Sequence, residues 1–181
     1  MKNFSKVTVI LAMLFFVLAG IGGNALAFTE YPIGEEKIIK QMKIAAVYFQ
    51  AVPMKPEEKA GLKAEESDLH LEADIHAVAN NPYGFGLGAW VPNLTVDYTL
   101  ENMETGEIQE GSFMPMAASD GPHYGTNVQM MGIGNYKLTY IIYPPTKQDF
   151  LQHTDKETGV EKVFWKKPIK VEWDFKYTGK V

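Results

Sequence analysis

The chain has 181 residues, with 17 lysines against 22 acidic residues, a net charge of −5, and neither cysteine nor arginine. Without thiolates it cannot form cysteine-ligated zinc sites, iron–sulfur clusters or blue-copper centres. An acidic chain without arginine is also poorly suited to the phosphate backbone, so we expect no nucleic-acid partner.

The first 27 residues have the pattern of an export signal. A basic segment at 1–6 is followed by an apolar run at 7–21 and by the small-residue pattern Ala25-Leu26-Ala27, which is typical of a secretory signal peptide. The apolar run is shorter than the ~20 residues that a membrane-spanning helix needs. We therefore predict export, cleavage after Ala27 and one domain over residues 28–181; the alternative is an uncleaved membrane anchor.

The remaining chain is dominated by short alternating or apolar segments separated by turn signals. This pattern predicts an all-β, antiparallel β-sandwich. The predicted strands are 43–49, 68–76, 94–100, 108–114, 136–143, 163–165 and 169–177. The best helix candidate is the short segment 35–43.

The strand at 68–76 has an unusual polar face. Successive side chains of a strand point to opposite sides, so apolar residues share one face, and the other face carries Asp68, His70, Glu72, Asp74 and His76. Imidazoles beside carboxylates are suitable ligands for a divalent metal. The simpler interpretation is a solvated outer face. His76 lies about 20 Å from His70 at ~3.3 Å per residue, so we assign it to no shared ion.

Three further residues are candidate ligands. His123 and His153 are both predicted in loops, where binding residues are common, and Met116 follows a predicted strand end. Thioether and imidazole together favour copper, and a nearby carboxylate favours ferrous iron or manganese. Each residue also has a structural alternative, because Met116 could fill the core and either histidine could be solvated.

Several longer motifs stand out along the chain. The most specific is M-P-M-A-A-S-D-G-P-H-Y-G at 114–125, and the others lie at 70–76, 84–86 with 90–92, 134–140 and 153–160. Together they cover most of the chain after the signal segment, and in them the chain resembles the family of bacterial periplasmic high-affinity iron-transport proteins.

The resemblance implies an immunoglobulin-like sandwich, a homodimer, and a copper site near the dimer interface in a protein that serves iron uptake. The family's ligands correspond to His70, Met116, His123 and His153, with Glu72 as a further or alternative ligand. Whether His153 binds from the same chain or from the partner is left open.

We therefore expect a periplasmic metal-binding component of an iron-uptake system, acting as a carrier beside an inner-membrane iron permease. Its metals would be copper and iron, with manganese or zinc as possible surrogates for iron. The same ligands would also suit a copper-dependent oxidase of ferrous iron. A third possibility is a structural adhesion sandwich that uses no metal.

Overall fold

The structure is a computed structural model that describes residues 29–179. It contains ten β-strands and three short 3-10 helices, Glu57–Lys59, Ala64–Glu66 and Pro145–Gln148. The strands are β1 (Tyr31–Pro32), β2 (Lys37–Ile39), β3 (Met42–Phe49), β4 (Leu69–Ala77), β5 (Thr95–Asn102), β6 (Ile108–Ser112), β7 (Met114–Ala118), β8 (Gly121–Val128), β9 (Gly134–Tyr143) and β10 (Ile169–Tyr177).

The strands form two antiparallel sheets. The first has the order β1-β3-β4-β8-β7, with β2 also paired to β3, and the second has the order β10-β9-β5-β6. Both sheets contribute to a single buried apolar cluster, from Leu71 and Ile75 in the first to Leu138 and Trp173 in the second. The predicted all-β antiparallel sandwich is therefore confirmed.

The apolar face of β4 positions its polar face. Leu69, Leu71, Ala73 and Ile75 are fully or almost fully buried in the core, and alternation then directs the other side chains to the opposite side of the sheet. The Tyr140 hydroxyl of the second sheet donates a 3.0 Å hydrogen bond to the Glu72 carbonyl oxygen. This hydrogen bond connects β4, the strand that carries the candidate ligands, to the second sheet on its core side.

Two predicted elements were wrong. Segment 35–43 is not a helix, because β2 turns into β3 through Lys40 and Gln41, which both adopt the left-handed conformation with φ of 51° and 53°. Segment 163–165 lies in a loop rather than a strand, although its Phe164 and Trp165 are buried in the core cluster.

The predicted signal peptide and its cleavage site lie outside the described residues. Between residues 29 and 179 there is no helix with the length and apolar character needed to span a membrane.

Candidate metal site

Two neighbouring strands bring three of the predicted ligands together. In the register of β4 and β8, His70 is opposite Asn127 and Glu72 is opposite Gly125, so His123, two residues before Gly125, falls on the same face. His70, Glu72 and His123 are only 0%, 3% and 4% exposed. Each offers one donor atom, and these atoms lie within 4.8 Å of one another, close enough to bind one ion.

The His70 ring presents one nitrogen without a partner. Its Nδ1 lies 3.0 Å from Asn127 Oδ1, whereas its buried Nε2 has no hydrogen-bond partner. Buried polar atoms are nearly always satisfied, so such an exception needs an explanation. A metal ion bound at Nε2 would supply the missing partner, and the donor set around it therefore fits a metal.

Gly125 keeps this nitrogen accessible. A Cβ atom built at Gly125 would overlap His70 Nε2, and the next nearest atom is Cε1 of the same ring at 3.1 Å. Because Gly125 sits in the middle of β8, between β4 and β7, its backbone has little freedom to move away. The sequence signal for this residue is only a glycine inside a strand, which often marks a close approach.

Glu72 and His123 form the second contact of the site. His123 Nδ1 lies 3.2 Å from Glu72 Oε1, and both side chains are almost fully buried. Burial is the main factor that raises the pKa of Glu72 to about 9, and nearby carboxylates, first of all Asp74, add to it. At neutral pH the metal-free carboxyl therefore carries a proton that a bound cation would displace.

Burial also keeps both histidines neutral. Desolvation lowers the pKa of His70 to about 4, despite the opposing effect of the hydrogen bond that its ring donates to Asn127. The pKa of His123 is lowered as well, again chiefly by burial. A neutral imidazole is the form that binds metals, so both rings are ready to bind at pH 7.

A cavity of about 860 Å³ brings a fourth predicted ligand to the same place. Its lining includes His70, Glu72, His123 and the half-buried Met116. Met116 of β7 pairs directly with His123 of β8, and directly opposed residues of antiparallel strands place their side chains on the same face. The Met116 side chain is thus available to the set rather than buried in the core.

An acidic pocket adjoins this cavity. It has a volume of about 290 Å³ and shares Glu72, Asp120 and His123 with the larger cavity. Its acidic lining comprises Glu30, Glu36, Glu72, Asp74 and Asp120, beside Lys43 and His76. Burial, followed by the charges of Asp74 and Asp120, raises the pKa of Glu30, which shows that these carboxylates lie close to one another.

The other two histidines lie away from the set. His153 lies in a loop just before the turn at 156–158, with a side chain that is 76% exposed and a ring nitrogen 2.8 Å from the Thr158 hydroxyl. It does not join the cluster among the described residues. His76 lines the acidic pocket only, in agreement with its separation from His70.

Sequence reasoning was wrong about the setting of two ligands. His123 lies in β8 and Met116 in β7, not in or beside loops. The prolines that suggested a loop are tolerated because Pro115 is on the edge strand β7, and Pro122 pairs only with Ala117 of β7, beyond the start of the β4–β8 pairing. Asn127 and the contribution of Glu30 were missed, because no local pattern marks either residue.

The chain is similar to known proteins over most of its length. The chain is 44% identical to a UPF0423 protein of Brucella abortus, over 99% of this chain and 96% of that protein. It is 56% identical to a copper-bound single-residue variant of FetP from uropathogenic Escherichia coli, with a TM-score of 0.81 over 84% of this chain and 99% of that one. The copper-reconstituted P19 protein of Campylobacter jejuni is 51% identical, with a TM-score of 0.81 over 84% of this chain and 99% of that one.

The model of a protein family described as Fe2+ transport protein matches residues 27–179. The match spans the whole sandwich and every candidate ligand named above. The chain belongs to the Fe2+ transport protein family.

Proposed function

We propose that the protein is a periplasmic metal-binding component of an iron-uptake system, which holds copper and handles ferrous iron. The observation that carries this proposal is the buried, unpartnered Nε2 of His70, with Glu72 and His123 donors inside 4.8 Å. Family membership supports the link to iron, and the copper-bound relatives support the link to copper.

The two adjacent pockets suit two different metals. Imidazole and thioether ligands favour copper, so His70, His123 and Met116 are the proposed copper ligands. Ferrous iron prefers more oxygen ligands than copper does, and the acidic pocket offers them beside the copper ligands. Glu72 lines both pockets, so it is the proposed ligand that either metal can use. An inner-membrane iron permease is the proposed recipient of the iron.

Calorimetric titration of the exported domain, residues 28–181, tests the metal claim. Copper should bind with a Kd of about 1 μM or lower. Manganese, a redox-stable surrogate for ferrous iron, should bind to the wild type and lose affinity when Glu72 is replaced. Asp97, a carboxylate on the outer face of β5 that accepts a hydrogen bond from Ser112, provides the matched control as Asp97→Asn. Copper binding weaker than the high-micromolar range would refute the proposal.

We further propose that His153 completes the copper site of a second copy in a homodimer. Its ring is exposed and outside the cluster of its own chain. Leu151, two residues before it, is 86% exposed, and Val163, which lines the same surface pocket as Leu151 and Thr154, is 59% exposed. A contact between two copies would cover them.

A mixed dimer distinguishes the two origins of His153. When His70→Ala and His153→Ala chains are combined, binding across the interface leaves one complete site per mixed dimer, because one chain supplies His70 and the other supplies His153. Binding within one chain leaves no complete site. Recovery of about one tight copper site per mixed dimer is the expected result; a monomer in sedimentation, or no recovery, would refute this assignment.

Oxidation of ferrous iron is the second candidate function. The observation that favours it is the shared wall between the acidic pocket and the copper ligands. In that reaction His70, His123 and Met116 would hold copper as the electron acceptor beside the acidic pocket. Four Fe2+ ions would give up four electrons to one dioxygen, which would form two water molecules with four protons. Steady-state oxygen consumption with ferrous iron discriminates an oxidase from a carrier, since a carrier shows no turnover above a protein-free blank.

A further inference from the structure

We propose that Asn127 is a positioning residue that fixes the tautomer of His70, so that Nε2 faces the cavity as a bare lone pair. Asn127 lies opposite His70 in the β4–β8 pairing and is 3% exposed. The inference deepens the proposed metal-binding function, but the tautomer itself is a property of the metal-free protein.

The orientation of the Asn127 amide is set by three main-chain groups. Its Nδ2 donates to the carbonyl oxygens of Val52 at 2.9 Å and Leu62 at 3.0 Å. Its Oδ1 accepts a hydrogen bond from the Val52 N–H at 3.2 Å. A rotated amide would place its oxygen against two carbonyl oxygens and its NH₂ group against an N–H. Only one orientation therefore satisfies all three contacts.

This orientation determines which nitrogen of His70 carries the proton. Asn127 Oδ1 has no hydrogen to give, and it lies 3.0 Å from His70 Nδ1. Nδ1 must therefore be the protonated nitrogen, and in a neutral imidazole the other nitrogen then has a free lone pair. That nitrogen is the buried and unpartnered Nε2.

The same contacts link the ligand to the wall of the cavity. Val52 lines the 860 Å³ cavity, and Gly61 forms an isolated bridge with Asn127. One side chain thus joins the segment between β3 and β4 to a metal ligand. Groups that orient ligating histidines through their other nitrogen commonly tune metal affinity.

The test is the tautomer of His70 in the metal-free protein, read from long-range proton–nitrogen NMR correlations of the labelled imidazole at pH 7. The wild type should show Nδ1 protonated and Nε2 bare. Asn127→Asp keeps an acceptor for Nδ1 but sets an oxygen against the Val52 and Leu62 carbonyl oxygens, so it should preserve the tautomer at a cost in stability. Asn127→Leu, which has no acceptor, should give a mixed or inverted tautomer. Asn127→Ala serves the same purpose if the leucine variant does not fold.

Asn102 provides the matched control. It is also a buried strand asparagine, with Nδ2 donating to the Met131 carbonyl oxygen at 2.9 Å, but it lies in the second sheet and contacts no ligand. Asn102→Leu should lower thermal stability and leave the His70 tautomer unchanged. If it alters the tautomer as Asn127→Leu does, the effect is general loosening and the proposal is wrong.

Copper titration then tests the consequence of the tautomer. Asn127→Leu should weaken copper binding by ~10–100-fold, the range for groups that orient ligands, and Asn127→Asp, which keeps the acceptor for Nδ1, should weaken it less than Asn127→Leu does. Three results would each overturn the positioning role of Asn127. They are protonation of His70 Nε2 in the wild type, an unchanged tautomer in Asn127→Leu, and an unchanged copper affinity in that variant. Failure of the wild type to bind copper would instead refute the proposed function, while the metal-free spectrum still tests the tautomer.

Discussion

The outer faces of β4 and β10 have the same alternating sequence pattern but opposite environments. On β10, Lys170 and Glu172 are exposed and form a 2.9 Å ion pair, and the Lys170 hydrogen bond is the main cause that lowers the pKa of Glu172. On β4, Glu72 is buried and its pKa is raised to about 9. Alternation thus assigns side chains to faces, but what covers a face decides its chemistry.

The cover over the β4 face comes from distant parts of the chain. Main-chain groups of Val52 and Leu62 bond to Asn127 beside His70, and β7 adds Met116 from the other side. Within residues 29–179 no corresponding segment covers Glu172, whose partners are its neighbours in the second sheet. Removing the ligands, the space or the charge of the β4 face should therefore reduce its difference from the β10 face.

Removal of a ligand should have the largest effect. His70→Ala should weaken copper binding by more than ~100-fold, beyond the range for orienting groups, because a primary ligand is lost and water enters. His76→Ala, on the same face of β4 but outside the cluster, should change copper affinity by less than about threefold. Calorimetric titration measures both affinities. Equal losses would show that the metal is attracted by the negative charge of this face as a whole rather than bound at a defined site.

Filling the space in front of His70 should be the next largest effect. Gly125→Ala places a Cβ against Nε2, so copper affinity should fall by ~10–100-fold and the free energy of unfolding by about 1–3 kcal/mol. Gly111→Ala creates a comparable clash in the second sheet, because a Cβ atom built at Gly111 would lie 2.6 Å from the Tyr98 ring. It should destabilise the fold without altering copper binding, and loss of copper in both variants would contradict the assignment to the site.

These environments also explain how far the sequence could predict the molecule. Strands β3, β4, β5, β9 and β10 follow from their alternating or apolar patterns, and β10 was predicted with its observed bounds. His70 and Glu72 could be found because their spacing is local. The burial of their face could not be predicted, because the residues that cover it are distant in sequence. Val52 and Leu62 precede the strand, and β7 follows it only after β5 and β6.

The remaining errors have a similar cause. Segment 35–43 is rich in helix-forming residues, yet pairing of β2 with β3 outweighs that weak preference. Gly121-Pro122 has the composition of a turn, but it begins a strand whose first residues pair on one side only. Asn127 acts through main-chain carbonyls, and no sequence motif specifies those contacts.

Neutralising Glu72 should change how stability depends on pH. Because its folded-state pKa of about 9 exceeds the ordinary value of 4.5, the folded chain retains a proton that the unfolded chain loses between these pH values. Stability from this group is therefore present at low pH and is lost as pH rises through that window. Glu72→Gln should flatten the slope and raise the metal-free free energy of unfolding more at pH 8 than at pH 5.

Urea unfolding at pH 5 and pH 8 measures this difference. Glu172→Gln is the control on the exposed face. Because the pKa of the Glu172 carboxyl is lowered rather than raised, this variant should not show a gain in the free energy of unfolding that grows with pH. In the metal-bound protein, Glu72→Gln should weaken manganese more than copper. Unchanged manganese affinity together with an unchanged pH slope would mean that Glu72 is an ordinary solvated residue.

Replacement of the soft ligand should have the smallest effect. Met116→Leu preserves bulk but removes the thioether, so copper should bind about three- to tenfold more weakly while manganese affinity is unchanged. Met103, half-exposed in the turn between β5 and β6, is the control as Met103→Leu and should affect neither metal. Equal losses for copper and manganese would identify Met116 as a packing residue.

The central claim is that one buried set of donors on β4 and β8, joined by Met116, holds copper through His70 Nε2. The most direct measurement is a crystal structure of the copper-loaded protein with anomalous data at the copper edge. The account predicts a peak bonded to His70 Nε2 and His123, on the side that Gly125 leaves open. A peak located elsewhere, bonding through His70 Nδ1, or the absence of a peak in this cavity would contradict it.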